Sequence, residues 1–225
     1  MTFIHKLLLI IFTSSCGLVS ALQAAESSRP LTKINIDLTD TPSLQRGARL
    51  FTQYCLGCHS AQFMRYSRLA KDLAFSPQQM QETFLQNGEK LADTLQTAMQ
   101  ADDAKRWFGV TPPDLSVIAR SRGPEWLYSY LRGFYLDPDH PMGTNNYLFS
   151  DTAMPHVMWE PEQTIRTTTH QNFNSISYDL VNFLSYLGEP SKQQRLTLGK
   201  WVLLYLGLFI GLSYALKRVY WKGMH

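Results

Sequence analysis

The segment at residues 54–60 (YCLGCHS) holds two cysteines separated by two residues, with a histidine directly after the second. Cysteines at this spacing occur in redox-active dithiols, in zinc sites and at haem attachment sites. A zinc site needs four ligands, but the only other cysteine, Cys16, lies in a leader segment and the histidines form no second ligand pair. A redox-active pair usually follows a strand in an α/β fold, whereas a helix is predicted before Cys55.

Haem attachment accounts for every residue of this motif. Two thiols three positions apart can add to the two vinyl groups of a haem, and the next residue then faces the iron. The sequence therefore predicts one haem c, bound covalently through Cys55 and Cys58, with His59 as the proximal iron ligand.

The sixth iron ligand is expected from a distant loop, on the far side of the haem. The candidates are Met64, Met142, Met154, Met158, His140 and His156. Met64 is too near His59 in sequence to cross the ring. Met154 lies between a small alanine and a stiffening proline, which favours it as the ligand, with Met142 or Met158 next. A thioether ligand raises the haem potential relative to two histidines.

The haem propionates need cationic partners if they are even partly buried. Arg120 ends a short helix that is predicted after the turn at residues 111–114 (TPPD). From the residues alone, a propionate contact and a solvated helix-end cation explain Arg120 equally well.

The N-terminus has the organisation of a secretory signal peptide. A short segment with one lysine precedes the apolar residues 7–12 (LLLIIF), and small residues continue to Ala25. The expected signal peptide is residues 1–25, with cleavage after Ala21, Ala24 or Ala25. Export would place Cys55 and Cys58 in an oxidising compartment.

A second apolar segment predicts a membrane anchor. Residues 201–216 (WVLLYLGLFIGLSYAL) carry no charge, and a helix of this length covers about 24 Å of a ~30 Å hydrocarbon core. Residues 196–199 complete the span, and aromatic residues lie near both ends. We therefore expect an exported, periplasmic domain at residues 26–195, a transmembrane helix at 196–216, and a cytoplasmic tail at 217–225.

The charge distribution argues against nucleic-acid binding. All 18 acidic residues but only 14 of the 21 basic residues lie between Glu26 and Ser191, so this segment carries a net charge of −4. Six of the remaining seven bases flank the C-terminal apolar run, and the seventh, Lys6, lies in the predicted signal peptide. Asp93, Asp102 and Asp103 are either an acidic rim that steers a basic electron acceptor or part of a solvated helix face.

Apolar periodicity and capping residues predict a mostly α-helical fold with no convincing run of strands. The expected helices are residues 44–54, 77–85 after a Ser76 cap, 115–120 after an Asp114 cap, 125–134 and 177–187. The proline-containing segment at residues 136–161 is expected to be one long loop, and its aromatic residues favour a functional role.

Several short motifs, in order, resemble those of the cytochrome c1 family. The motifs are Arg46-Gly47-Ala48, Arg65-Tyr66-Ser67-Arg68-Leu69, Pro112-Pro113-Asp114-Leu115-Ser116 with Arg120, Tyr128-Ser129-Tyr130-Leu131-Arg132-Gly133, Ala153-Met154-Pro155, Leu216-Lys217-Arg218 and Tyr220-Trp221-Lys222. This bacterial-type resemblance covers nearly the whole chain. It implies a class I cytochrome c-like haem domain with His59 and Met154 as axial ligands and Arg120 at a propionate.

The resemblance also implies a function and partners. A chain of this family accepts an electron from a Rieske iron–sulfur protein and passes it to a cytochrome c or a membrane-bound equivalent, beside a cytochrome b subunit in the inner membrane. The alternative is a membrane cytochrome subunit of another periplasmic dehydrogenase or oxidase. The segment at residues 123–126 is shorter than in many relatives, and Trp126 is interpreted as replacing a tyrosine beside the haem.

Overall fold

The computed structural model describes residues 30–159, 162–163 and 173–222. The chain divides into two compact units, Met1–Leu31 and Thr32–His225. Only Pro30 and Leu31 of the first unit lie within the described residues, so the predicted signal peptide falls outside them. All elements given below belong to the second unit.

Helices dominate this unit, as the sequence predicts, and they are short apart from the last two. The helices are α1 (Thr41–Leu50), α2 (Tyr66–Asp72), α3 (Pro77–Thr83), α4 (Ala101–Phe108), α5 (Ile118–Arg122), α6 (Pro124–Leu131), α7 (Phe173–Gly188) and α8 (Lys192–Tyr220). A single π-helical turn, Phe51–Cys55, continues α1. This unit is therefore mostly α, with its longest helix at the C-terminal end.

The described residues include four short strands, although the sequence showed no convincing run of strands. β1 (Ala61–Arg65) pairs antiparallel with β2 (Thr94–Leu95), and β3 (Phe134–Leu136) pairs antiparallel with β4 (Thr144–Asn146). These strands are two to five residues long, too short to show an alternating pattern in the sequence. The β3–β4 pair also folds part of the expected loop at residues 136–161 into a hairpin.

Capping chemistry explains why one helix boundary was predicted well and another was wrong. Ser76 accepts a hydrogen bond from the Gln79 amide while the Gln79 side chain accepts one from the Ser76 amide, and α3 begins at Pro77 as predicted. Asp114 caps no helix. Its two carboxylate oxygens accept hydrogen bonds from the amides of Gln62 and Ser116, so it ties strand β1 to the turn before α5, and α5 begins at Ile118.

The core lies where α1 crosses α7. The predicted apolar faces of both helices are buried, and Phe51 packs on Phe183 with ring centroids 5.7 Å apart. The buried Asp179 carboxylate accepts hydrogen bonds from Ser43 Oγ at 2.7 Å and Arg46 Nε at 2.6 Å. This polar cluster fixes the register of the crossing, and α1 leads through the π-helical turn into the segment that holds Cys55, Cys58 and His59.

Gly47 allows the two helices to approach at this crossing. A Cβ built at Gly47 would lie 2.1 Å from the Asp179 carbonyl oxygen and 2.6 Å from Phe183 Cβ, closer than real atoms approach. We therefore expect Gly47→Ala to force the helices apart and to lower the free energy of unfolding by about 3 kcal/mol, the upper end of the range for overpacked cores. Thermal unfolding followed by circular dichroism measures the change.

The matched control for this prediction is Gly57→Ala, because a Cβ at Gly57 meets no atom within 4 Å. Its unfolding midpoint should match that of the wild type. Equal midpoints for Gly47→Ala and Gly57→Ala would show that the α1–α7 contact is looser than the structure indicates.

Helix α8 contains the predicted anchor. It has 29 residues and a mean hydropathy of 1.6 in its most apolar window, and none of that window is buried within the chain. It is the one helix among the described residues that is long and apolar enough to cross a membrane. A helix that is apolar on all faces, and whose surface the rest of the described chain does not cover, needs lipid or another apolar partner around it.

Candidate functional site

The two cysteines and the histidine lie on a tight turn at the end of the π-helical turn. Leu56 N–H donates to the Phe51 carbonyl at 2.9 Å, and the amides of Cys58 and His59 both donate to the Cys55 carbonyl, at 3.0 and 2.8 Å. This local bonding turns the chain back on itself within five residues. It places both thiols and the imidazole beside one cavity.

The cavity has a volume of about 310 Å³ and a mainly apolar wall. Its lining residues are Tyr54, Cys55, Cys58, His59, Phe108, Val110, Pro112, Pro113, Leu115, Ile118, Arg122, Trp126, Leu127, Tyr130, Leu131, Phe149, Thr152, Ala153, Met154, Pro155, Val157, Leu180 and Leu184. They come from the segment around Cys55, Cys58 and His59, from the end of α4, from the turn before α5, from α5, α6 and α7, and from the loop after β4. A large apolar slot with a few donor atoms suits a flat organic cofactor.

His59 has one ring nitrogen occupied and the other available. Nδ1 lies 2.7 Å from the Pro113 carbonyl oxygen, and a carbonyl can only accept, so Nδ1 carries the proton. Nε2 then keeps its lone pair, which is the form of imidazole that binds a metal. Burial lowers the pKa of His59, which further favours the neutral ring.

The thiols do not have the electrostatics of a redox-active pair. Burial raises the pKa of Cys55 to about 12, with a smaller contribution from Cys58, and burial also raises the pKa of Cys58. Redox-active cysteines have lowered pKa values and are thiolates near neutral pH. Both cysteines are free of disulfides, and no cluster of three metal-binding side chains exists within the described residues. The environment suits uncharged sulfur, as in a thioether.

Of the predicted sixth ligands, Met154 alone lines the cavity. Met64 and Met158 are buried elsewhere in the core. His140 accepts a hydrogen bond from the Met142 amide at 3.3 Å, and neither residue lines the cavity. His156 stacks on Phe134 and lies 3.6 Å from Glu162. The structure thus brings together Cys55, Cys58, His59 and Met154.

Arg120 is not among the residues that line the cavity, although the sequence predicted it at a propionate. Its side chain packs on Gly188, where a Cβ would lie 3.1 Å from Arg120 Cγ. The pKa of Glu189 is lowered chiefly by Arg195 and further by Arg120, so Arg120 has an anionic neighbour outside the cavity. Arg122, two residues later, lines the cavity and lies over the Trp126 ring, 5.1 Å from its centroid.

Trp126 is at the place that the sequence analysis suggested for it, on the cavity wall. It is buried, and it stacks on Tyr130 at 4.9 Å with an angle of 9° between the rings. Two of the three acidic residues that the sequence singled out have local partners. Asp103 pairs with Arg106 within α4, and Asp93 accepts a hydrogen bond from the Lys90 amide at 2.8 Å.

Comparison with known proteins decides the family. The model of the cytochrome C1 family matches residues 33–224. The chain belongs to the cytochrome c1 family. Members of this family carry a haem c and transfer electrons as the haem subunit of the cytochrome bc1 complex. Within the described residues, α8 is the one helix long and apolar enough to anchor such a chain in a membrane.

Curated relatives match over most of the chain. The cytochrome c1 of Allochromatium vinosum is 43% identical over 230 residues, which cover 92% of this chain and 94% of the relative. The ammonia monooxygenase gamma subunit of Nitrosomonas europaea is 44% identical over 209 residues, covering 87% and 89%. The mitochondrial cytochrome c1, heme protein of Neurospora crassa is 29% identical, covering 91% and 71%. The predicted family, cofactor and electron-transfer function are confirmed.

The residues fit the cofactor of a cytochrome c1. Two uncharged thiols, an imidazole nitrogen and a thioether sulfur form one donor set around an apolar cavity, and Arg122 supplies a cation at its wall. Sequence reasoning missed Arg122, Tyr130 and Thr152. The sequence offered one indication of a role for Arg122. The segment Arg120-Ser121-Arg122 holds two arginines, and either of them could have faced the cavity.

Substitutions of Arg122 and of Arg120 are expected to change the haem potential by different amounts. A cation near the haem disfavours the more positive ferric state. We expect Arg122→Gln to lower the ratio of reduced to oxidised haem roughly tenfold at a fixed ambient potential, which is about 59 mV for one electron. Arg120→Gln is the control and should change the ratio by less. A redox titration of both variants measures the ratio of reduced to oxidised haem. A larger effect for Arg120→Gln than for Arg122→Gln would support the sequence-based prediction that Arg120 lies at a propionate.

Proposed function

We propose that Cys55 and Cys58 bind the haem vinyl groups as thioethers and that His59 and Met154 are the axial iron ligands. The observation that carries this proposal is the convergence of these four side chains on one cavity. The haem supplies one-electron redox chemistry when bound. The chain supplies uncharged sulfur, an oriented imidazole, a thioether and an apolar wall that excludes water.

We infer further that a propionate is held by a cation of the α5 region. The sequence favours Arg120, through the family resemblance, and the cavity wall favours Arg122. The redox titration described above distinguishes the two. An arginine beside a partly buried carboxylate reduces the cost of burying its charge.

We propose that this chain accepts an electron from a Rieske iron–sulfur protein and passes it to a cytochrome c or a membrane-bound equivalent. Cytochrome b would be the neighbour of α8, whose apolar surface is covered by nothing else in the described part of the chain. The domain at residues 26–195 would lie on the periplasmic side of the inner membrane, with residues 1–25 removed. Residues 217–225 would be cytoplasmic.

The test is purification of the full-length, tagged chain from its own membranes in mild detergent. We expect a cytochrome b and a Rieske protein to copurify with it, and quinol to reduce its haem in the isolated complex. The control is the same purification after a detergent that dissociates membrane complexes, which should yield the haem protein alone.

A second candidate function comes from one relative. The Nitrosomonas europaea relative is named ammonia monooxygenase gamma subunit, which would place this chain beside an oxygenase. The same purification distinguishes the two functions. Recovery of oxygenase subunits in place of cytochrome b and the Rieske protein would overturn the first proposal.

A further inference from the structure

The hydroxyl group of Tyr130 lies between two residues of the loop that carries Met154. It is 2.8 Å from Thr152 Oγ1 and 3.5 Å from Met154 Sδ, the latter within the range of a hydrogen bond to sulfur. All three side chains line the haem cavity. The proposed axial sulfur therefore has a hydrogen-bond donor in reach on the side of α6.

Packing fixes the Tyr130 ring, so its hydroxyl is aimed in advance. Trp126 stacks on one face at 4.9 Å, and Phe134 meets the ring edge-on at 5.3 Å and 70°. The Tyr130 carbonyl accepts a hydrogen bond from Asn146 Nδ2 at 2.8 Å. Only the O–H torsion remains free. Since the phenol has one proton, that torsion decides whether Thr152 or Met154 receives it.

The two hydroxyl protons, one on Tyr130 and one on Thr152, are best satisfied when Met154 accepts the proton of Tyr130. Thr152 is 3% exposed, and within the described residues Tyr130 is the recorded partner of its hydroxyl. If Thr152 donates to Tyr130, the Thr152 proton has an acceptor and the Tyr130 proton is free for the sulfur. If Tyr130 donates to Thr152, the proton of a buried threonine is left without that acceptor, which is unfavourable.

We propose that Tyr130 is a positioning residue that sets the potential of this cytochrome by donating a hydrogen bond to the Met154 thioether, with Thr152 orienting its proton. The inference rests on the proposed ligation by Met154. A hydrogen bond draws electron density from the sulfur, which weakens its donation to ferric iron more than to ferrous iron. It also holds a side chain with three rotatable bonds in one conformation.

The first test is Tyr130→Phe, which removes the hydroxyl and keeps the ring contacts. We expect the ratio of reduced to oxidised haem at a fixed ambient potential to fall about three- to tenfold, which is about 30 to 59 mV for one electron. The near-infrared sulfur-to-iron charge-transfer band of the ferric protein should shift but persist. Haem staining on denaturing gels should be unchanged, which separates this effect from failure to mature. An unchanged potential and band would overturn the proposal.

The matched control is Tyr128→Phe. Tyr128 is a buried tyrosine of the same helix, its hydroxyl donates to the Asn174 carbonyl at 3.4 Å, and it does not line the cavity. We expect it to leave the potential and the band at their wild-type values. A shift as large as that of Tyr130→Phe would mean that any loss of a tyrosine hydroxyl from α6 has this effect, and would overturn the specific role.

Thr152→Val tests the direction of the proton. If Thr152 donates to Tyr130, its loss weakens the bond to sulfur, and the potential should fall by less than in Tyr130→Phe. If Tyr130 donates to Thr152, the substitution releases the phenol proton to Met154 and the potential should rise, which would overturn the proposal. Met154→Leu, measured in the same experiment, distinguishes the proposed ligation by Met154 from the proposed role of Tyr130. A band that persists in Met154→Leu would overturn the ligation itself, and this inference with it.

Discussion

Replacing both Cys55 and Cys58 with alanine is expected to abolish haem staining of the polypeptide on denaturing gels. Thioether bonds survive denaturation, whereas the proposed axial bonds to His59 and Met154 would not. The double variant would therefore lose all of the haem signal, while each single variant would retain one bond and a weaker signal. Haem staining, normalised to protein by immunoblot, measures the loss.

Cys16→Ala is the matched control for this experiment. The sequence places Cys16 in the predicted signal peptide, outside the described residues, and it should carry no haem. Its staining should equal that of the wild type. A double variant of Cys55 and Cys58 that stains normally at normal yield would contradict the attachment site.

Met154→Leu is expected to have the next largest effect, because it removes the thioether while conserving most of the side-chain volume. The near-infrared band of the ferric protein should vanish and the reduced iron should bind CO. The potential should fall by on the order of 100 mV, within the ~0.8 V range that axial ligands cover. Optical spectra, CO titration and redox titration measure these changes.

The control is Met158→Leu. Met158 is 1% exposed and does not line the cavity, and this volume-conserving exchange should cost less than about 1.5 kcal/mol of stability. Its spectrum and potential should match the wild type. An unchanged spectrum in Met154→Leu would move the ligand to Met142 or Met158, the two alternatives that the sequence left open.

Helices with local signals were predicted well. Helix α3 has a proline in its first turn and a reciprocal Ser76–Gln79 cap, and it begins at the predicted residue. Two helix boundaries were predicted less well, because the residues that draw Asp114 and Phe134 into other contacts are distant in sequence. Asp114 accepts a hydrogen bond from the amide of Gln62 in strand β1, and it caps no helix. The predicted helix at residues 125–134 ends at Leu131 because Phe134 pairs with Asn146 in a strand.

The local sequence was sufficient to propose the covalent part of the site and the anchor helix. Cys55, Cys58 and His59 lie within five residues, so their spacing alone indicates which cofactor they suit. The apolar run of α8 needs no partner within the chain to be recognised, because its length and composition suffice. The family resemblance rested on motifs of the same short kind.

Only the tertiary structure decided which residues surround the cavity. Met154 and Met158 are both loop methionines, yet one faces the cavity and the other is buried in the core. Arg122 and Arg120 lie two residues apart on one short helix, and so point in different directions. Tyr130 reaches Met154 only because α6 packs against the loop after β4. Contacts between distant segments depend on the packing of the whole domain, and no pattern in a short window of sequence encodes them.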